Sequence, residues 1–528
     1  MYRPTSPQRP LFGVENRMNE DKRKRLEKTW AHAFRRSALP LVDESAFAKY
    51  FHQNNGRPNT SVRMVICILV LKELFDLTDV ESLEQLEWNA AWQYAMDVQP
   101  EDAHTCQKTL HNFRARLLDD DQGASLFEST TSRLLQAASI RTGRQRMDST
   151  HVVSNIKLLT RLGLFVQTIT QFLEALRKLH PRLTAEVTKQ LLERYLDREG
   201  YFSDARGSEA RRRLEQSALD LYWLVVRFAE HRSVAKMESY ALLKRLYEEQ
   251  CVPPPSVTPE RIELLERPSS SSLQSPSDPD ATYGHKGKGY EAQLAETCNP
   301  DNPFEVVTAV SVNGANESDQ SFVEPVLEQV ERTCGAVPEL MHADANFASG
   351  ANLVAAKDKG CDLAAPIGSK APTVHLPLWR FEFDAGGERV LRCPAGHGPE
   401  RHVQTSTGMA AHFAMSKCRR CPLREQCPTE KRVDKRVLRF GRGDVAVARR
   451  RVEQETAAFK ERHKLRSGIE ATNSELKRAH GLGELRVRRK RRVELAVRLK
   501  VLALNFKRYI AHQVSAAAES RAQRALAV

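Results

Sequence analysis

No stretch of this chain is apolar for long enough to cross a bilayer: the longest run, Met64 to Leu71, stops at Lys72. Nothing at the start resembles a secretory signal, because Met1 is followed by polar, Pro-containing and charged sequence. The sequence therefore predicts a cytoplasmic protein with no membrane partner. Without an export signal, its ten cysteines do not read as a disulfide framework, and Cys67, Cys106, Cys251, Cys298, Cys334 and Cys361 are expected as reduced thiols. Acidic residues are also in short supply: 67 Asp and Glu face 81 Lys and Arg, a net charge of +14. The deficit is local. Between Glu461 and Arg508 stand 15 Lys or Arg and 5 Glu, and a second basic run spans Lys417 to Arg451. Such concentrated positive charge favours a polyanion, usually nucleic acid, over a merely solubilising surface.

A chain of this length divides into about two to four domains. Residues 1–58 read as a polar, Pro-containing N-terminal arm with one helix around Asp21 to Arg35. Over 59–130 the apolar spacing is helical (Val65, Ile66, Leu69, Val70; Leu83, Leu86, Trp88; Leu110, Phe113, Leu117), and Thr105 is placed to cap the last helix. A small DNA-binding bundle of helix-turn-helix character and a plain helical packing domain both fit. Strand-like sequence follows at Arg146 to Asn155, then a helical insertion over 157–251 and a Pro- and Ser-rich stretch, 252–280, expected to be a flexible linker.

Beyond it, Tyr290 to Thr297 and Phe304 to Val312 read as antiparallel strands joined by the Asn299–Pro303 turn. A helix over Gln320 to Thr333, a strand over Glu339 to Ala343, a helix over Ser349 to Lys359 and a strand over Cys361 to Ile367 complete an α/β pattern. Residues 140–156, 281–369 and 455–510 thus make one α/β core. It is interrupted by a basic Cys-rich insert, 370–454, and followed by a C-terminal tail, 511–528.

The residues with chemistry in them are few. In His463 to Lys477, HKLRSGIEATNSELK, Arg466, Glu470 and Lys477 fall within about 40° of one another on a helix, so one carboxylate is flanked by two cations. Gly468 marks either the helix start or a close approach of DNA. Asp148 and Asp344 each lie at or near the end of a short strand. Carboxylates from neighbouring strands and a helix can hold two divalent ions about 3.5–4 Å apart for an in-line phosphoryl displacement, and Mg²⁺ suits such oxygen donors. Without metal they would repel one another. Cys393, the Cys418-x-x-Cys421 pair and Cys427 supply four thiolates that either hold a structural Zn²⁺, with His397 as a substitute ligand, or pack as reduced cysteines in a small insert. The run RVRRKRR, Arg486 to Arg492, is placed to touch phosphates through Arg488, Arg489 and Lys490, or to form a solvated surface.

These motifs resemble those of bacterial insertion-sequence DDE transposases. Arg466, Glu470 and Lys477 reproduce the spacing of that family's Tyr-(2)-Arg-(3)-Glu-(6)-Lys signature, with His463 in the Tyr position. MDSTHV around Asp148 is similar to the family's first catalytic strand and HADANFAS around Asp344 to its second, with Phe347 where Tyr is usual. Residues 60–120, including HTCQKTLHNFRARL, resemble the N-terminal domain of InsH-type transposases. The resemblance implies an RNase H-like α/β catalytic core behind a helical DNA-binding domain, with Asp148, Asp344 and Glu470 binding two Mg²⁺ or Mn²⁺ ions. It also implies that Arg466, Lys477 and, by position, His463 contact DNA. Glu475 is the substitute third acid. The implied activity is binding of the element's terminal inverted repeats, strand cleavage and strand transfer to target DNA. It would be carried out by a homodimer or larger synaptic complex associated with the bacterial nucleoid. A nuclease of the same core, or an inactive DNA-binding relic or repressor, is the alternative.

Overall fold

The computed structural model describes residues 1–5, 18–52, 55–56, 58–156, 158–197, 207–256, 258–368 and 375–526. Parts of the expected arm, insertion, linker, Cys-rich insert and tail lie outside these residues. The central feature is a mixed sheet of five strands: β1 (Arg144–Val152), β2 (Gly287–Thr297), β3 (Val307–Gly314), β4 (Leu340–His342) and β5 (Asp362–Ala364). Their spatial order is β3-β2-β1-β4-β5, and a short strand, Thr282–Gly284, folds back on the start of β2. β1, β2 and β3 run antiparallel in turn, while β4 lies parallel to β1 and β5 parallel to β4. Each strand lies close to its expected place.

Alternation along β1 separates two faces. Met147 points to one, where it packs with Ala295, Ala309 and Met341. Asp148 pairs with Leu294 and so shares the opposite face, whose apolar residues Ala292, Leu294, Val310 and Val312 belong to a different core. That second core also takes in the N-terminal helices. Helices α1 (Val62–Leu74) and α2 (Gln107–Leu118) pack there. Helix α3 (Val323–Cys334) instead covers the Met147 face through Val323, Val326, Leu327 and Val330. The Asp148 face is closed by α4 (Gly468–Ala479), through Ile469 and Leu476, and by the long α5 (Lys490–Leu526), through Val493, Val497, Val501, Leu504 and Phe506.

The N-terminal helices therefore share their apolar core with the sheet. Within the expected arm, described residues 18–52 fold into this core, burying Ala31, Phe34, Leu39, Leu41 and Phe47. The single helix expected over 21–35 is broken into Glu20–Leu26 and Trp30–Ala33. Cys106, rather than Thr105, occupies the N-cap of α2, and it makes no side-chain cap bond.

The Pro- and Ser-rich stretch expected as a flexible linker is packed down instead. Ser272, Leu273, Ser275 and Asp278 are buried, Leu273 N donates to Glu249 Oε2 (2.6 Å), and Asp278 Oδ1 accepts from Tyr290 OH (2.7 Å) and Arg489 N (2.9 Å). Docking on the preceding helix, on β2 and on the segment before α5 buries surface that opposes the entropy a linker would keep. The helical insertion has a core of its own, built from Phe165, Phe172, Leu221, Phe228 and Leu243. So has the Cys-rich insert, where strands Arg401–Thr405, Gly408–Ala414 and Lys435–Phe440 enclose Phe381, Phe413, Leu438 and Phe440.

One buried ion pair ties these layers together. Glu73 on α1 accepts from Lys500 Nζ on α5 (2.6 Å), which also donates to the carbonyl of His480 at the end of α4 (2.5 Å). Nδ1 of His480 donates to the Glu73 carbonyl (2.9 Å). Burial opposes the charge on Glu73, but Lys500 and Lys72 outweigh it and hold the carboxyl below its ordinary range. A depressed carboxylate stabilises the fold above its unfolded pKa and loses that contribution as pH falls. Glu73→Gln should therefore cost about 3–5 kcal/mol at neutral pH, because Lys500 is left buried without a counter-charge. In urea unfolding the gap from wild type should close as pH drops through the carboxylate range; a gap that is absent at pH 7 contradicts this role.

Candidate active site

Three segments deliver the acids. Asp148 sits mid-way along β1. Asp344 follows β4 and caps the short turn Ala345–Phe347, its Oδ1 accepting from Asn346 N (2.8 Å). Glu470 lies in the first turn of α4. One side chain touches all three. Arg466 Nη2 stands 3.2 Å from Asp148 Oδ1 and 3.9 Å from Asp344 Oδ2, and its Nη1 donates to Glu470 Oε1 at 2.9 Å. Acids separated by 196 and 126 positions along the chain thus converge on a single guanidinium. Glu475, the substitute third acid, is excluded from this cluster: it pairs with Lys507 (2.6 Å) and Arg508 (3.6 Å).

The approach of Arg466 depends on how α4 begins. The expected continuous helix from His463 is instead a helix Ala457–His463, a 3₁₀ turn Lys464–Ser467 and then α4. At the junction the Leu465 carbonyl accepts from Arg146 Nη1 (2.8 Å), two residues before Asp148. A Cβ on Gly468 would fall 2.0 Å from that same Nη1, so the close approach that requires glycine is to Arg146. Arg146 is held by Glu296 on β2, whose Oε1 accepts from Nε at 2.8 Å. Glu296 Oε2 accepts from Thr472 Oγ1 (2.7 Å) and Arg508 Nη1 (3.1 Å). Glu296 is wholly buried, and these three donors are the condition for keeping a charge there.

His463 does not reach outward from the place it shares with the signature Tyr. Its Nε2 donates to the carbonyl of Ala343 (3.0 Å), next to Asp344, and its ring stacks on Phe459. Lys477 lies near the acids with its ammonium pKa pushed down by burial and by Lys286, against the opposite pull of Glu291 and Asp148. Two participants went unnoticed in the sequence. Asn473 Nδ2 donates to Asp148 Oδ2 (3.2 Å), and Asp319, bonded to Gln293 (2.8 Å), is raised by burial and by the charges of Asp344 and Glu291. Asn473 was legible in principle, standing seven residues after Arg466 and four before Lys477; Asp319 had no such signal.

Among the described residues, no group of three or more His, Cys, Asp and Glu side chains is arranged to hold a metal ion as it stands. The Arg466 guanidinium lies among the acids. Their chemistry nevertheless fits a hard cation: the convergent donors are carboxylate oxygens, and burial raises the Asp148 carboxyl despite Arg466, with Asp344 adding to the rise. One positive charge leaves the cluster short of neutrality. For the cysteines, a structural Zn²⁺ is not supported. Cys393, Cys418 and Cys427 pack against the apolar core of the insert, and Cys418 is raised by burial and by the nearby thiols Cys427, Cys393 and Cys421.

The basic run is engaged by the protein itself. Arg486 donates to the Leu77 carbonyl (2.7 Å), Arg488 to that of Asn155, Arg489 pairs with Glu238, and Lys490 donates to Asn313. These contacts join the segment after α4 to the N-terminal helices, the insertion and the sheet.

A mixed sheet with carboxylates at β1, after β4 and on a following helix, all in contact with one arginine, defines an α/β protein with an acidic centre. Residues 392–510 match the family model described as a transposase DDE domain, and residues 23–116 match a transposase domain (DUF772). Together the two matches indicate an insertion-sequence DDE transposase. A DDE domain implies an RNase H-like α/β core and a DNA partner, and such domains typically use divalent metals. The first match contains Arg466, Glu470 and Lys477, while Asp148 and Asp344 lie outside both. No curated protein and no solved structure matches the chain. Among the described residues no helix is long and apolar enough to cross a membrane.

Gly468→Ala should destabilise the protein by about 1–3 kcal/mol through overpacking against Arg146. Shortening the opposing side chain, as in Arg146→Gln, should recover part of that loss in the double variant. Strictly additive costs in chemical unfolding would show that the two residues do not meet.

Proposed function

We propose that this transposase binds the terminal inverted repeats of its element, cuts the DNA there and joins the freed 3′-OH to target DNA. The observation that carries the reading is the convergence of Asp148, Asp344 and Glu470 on one cationic group. These three residues would hold Mg²⁺ or Mn²⁺. The bound ions would supply the charge that activates a water or 3′-hydroxyl and stabilises the leaving oxygen.

The remaining roles belong to the chain. Arg466 exchanges its carboxylate partners for a phosphate, which its guanidinium can grip through two N–H groups. Lys477 adds a compact charge from an exposed position within electrostatic reach of Asp148. His463 keeps the strand end before Asp344 in place through the Ala343 carbonyl. The exposed face of α2, with Lys108, His111 and Asn112, offers groups for the repeats. Arg488, Arg489 and Lys490 contribute to the positive field along the DNA path, setting affinity and salt dependence more than sequence preference. Two ends must be processed together, so a homodimer or larger synaptic complex on the nucleoid is the working assembly.

Labelled element ends, target plasmid and Mg²⁺ test this directly. Wild type should give joined products, and Glu470→Gln should neither cut nor join while still shifting the ends in a gel run in EDTA. Cleavage without joining makes the protein a nuclease, and a gel shift alone makes it a DNA-binding relic. Cutting by Glu470→Gln removes Glu470 from the proposed site.

A further inference from the structure

Asp148 is held by two side chains from the same short segment. Its Oδ1 faces Arg466, and its Oδ2 accepts from Asn473 Nδ2 at 3.2 Å. Asn473 lies on α4, one turn after Glu470 and one before Lys477, so it belongs to the same stripe that faces the acids. It is 9% exposed, and its Oδ1 is buried with no hydrogen-bond partner among the described residues. The orientation of the amide follows from its partner: a carboxylate oxygen can only accept, so the NH₂ group must face Asp148. Leaving the buried carbonyl unsatisfied carries a cost that packing alone does not require of this position.

We propose that Asn473 is a positioning residue for Asp148, fixing the rotation of its carboxylate so that Oδ1 faces the other two acids. The amide is suited to that task. It donates to a carboxylate without bringing a charge of its own, so it neither competes with a divalent cation, as a lysine would, nor repels the acid, as an aspartate would. It also couples the first acid to the helix that carries the third, so that Asp148 and Glu470 are set by one rigid element. This inference rests on the reading of the three acids as a divalent-metal site.

The test is Mn²⁺ binding to the full chain by calorimetry, with gel shifts of the ends and thermal unfolding in EDTA measured alongside. Asn473→Ala should weaken Mn²⁺ binding by about tenfold or more, the usual consequence of removing a partner that orients a ligand. End binding and the unfolding midpoint in EDTA should be unchanged. Asn473→Ser, which keeps a donor, should recover part of the affinity; it also serves if the alanine variant does not fold. Wild-type affinity for Mn²⁺ in Asn473→Ala overturns the proposal, as does a serine variant no better than alanine. A parallel loss of end binding or stability in EDTA overturns it too, assigning Asn473 to DNA or to the fold. If wild type itself binds no Mn²⁺, the metal-site reading fails instead.

Discussion

The charge balance around Arg466 is the constraint on which the centre depends. Three carboxylates cannot be drawn together in a partly buried space without a cation among them, because their repulsion grows as water is withdrawn. Arg466 supplies that cation from the 3₁₀ turn that leads into α4, the helix that carries Glu470. Its contacts are with groups from β1, from the loop after β4 and from α4, so the guanidinium reports that the three segments have come together. A single positive charge does not neutralise three negative ones; burial, with a smaller push from Asp344, raises the Asp148 carboxyl despite Arg466. The centre is held together and left short of charge at once.

A second, drier network holds the helix in register with the strand. Arg146 spans from Glu296 on β2 to the Leu465 carbonyl, and Arg508 on α5 reaches the same glutamate. Glycine at 468 lets Arg146 pass beneath the start of α4. The clamp lies two residues from Asp148 and two from Glu470, so any slip of α4 along β1 would break buried ionic contacts before it moved the acids far apart. Lys500 and Glu73 extend the same logic outward, binding the N-terminal helices to the far end of α4. The basic run Arg486 to Arg492 continues it, because its side chains bind carbonyls and acids of neighbouring elements.

Much of this was readable from the chain. Strand-like composition and turn residues located β1 to β5, and the spacing of Arg466 and Glu470 anticipated their contact, although Arg466 sits in the 3₁₀ turn before α4. What was not readable has physical causes. The 3₁₀ turn before Gly468 has no sequence marker beyond the glycine, whose partner, Arg146, lies more than three hundred residues earlier. Composition made residues 252–280 look like a linker, yet Ser272, Ser275 and Asp278 are buried because other elements supply their partners and cover. Polar residues at the start of the chain concealed Ala31, Phe34, Leu39 and Phe47, enough apolar surface to join the main core. Spacing in the Cys-rich insert left zinc and packed reduced cysteines both open; its strands build an apolar core on which Cys393, Cys418 and Cys427 pack, a core the spacing did not announce.

The central claim is that Arg466 stands where the acids would otherwise hold a divalent cation. A crystal structure grown with Mn²⁺, with anomalous data collected at the manganese edge, tests it most directly. The account predicts manganese among the carboxylates of Asp148, Asp344 and Glu470, with the Arg466 guanidinium displaced from all three. Manganese bound elsewhere, or Arg466 still bridging the acids at saturating Mn²⁺, would contradict it.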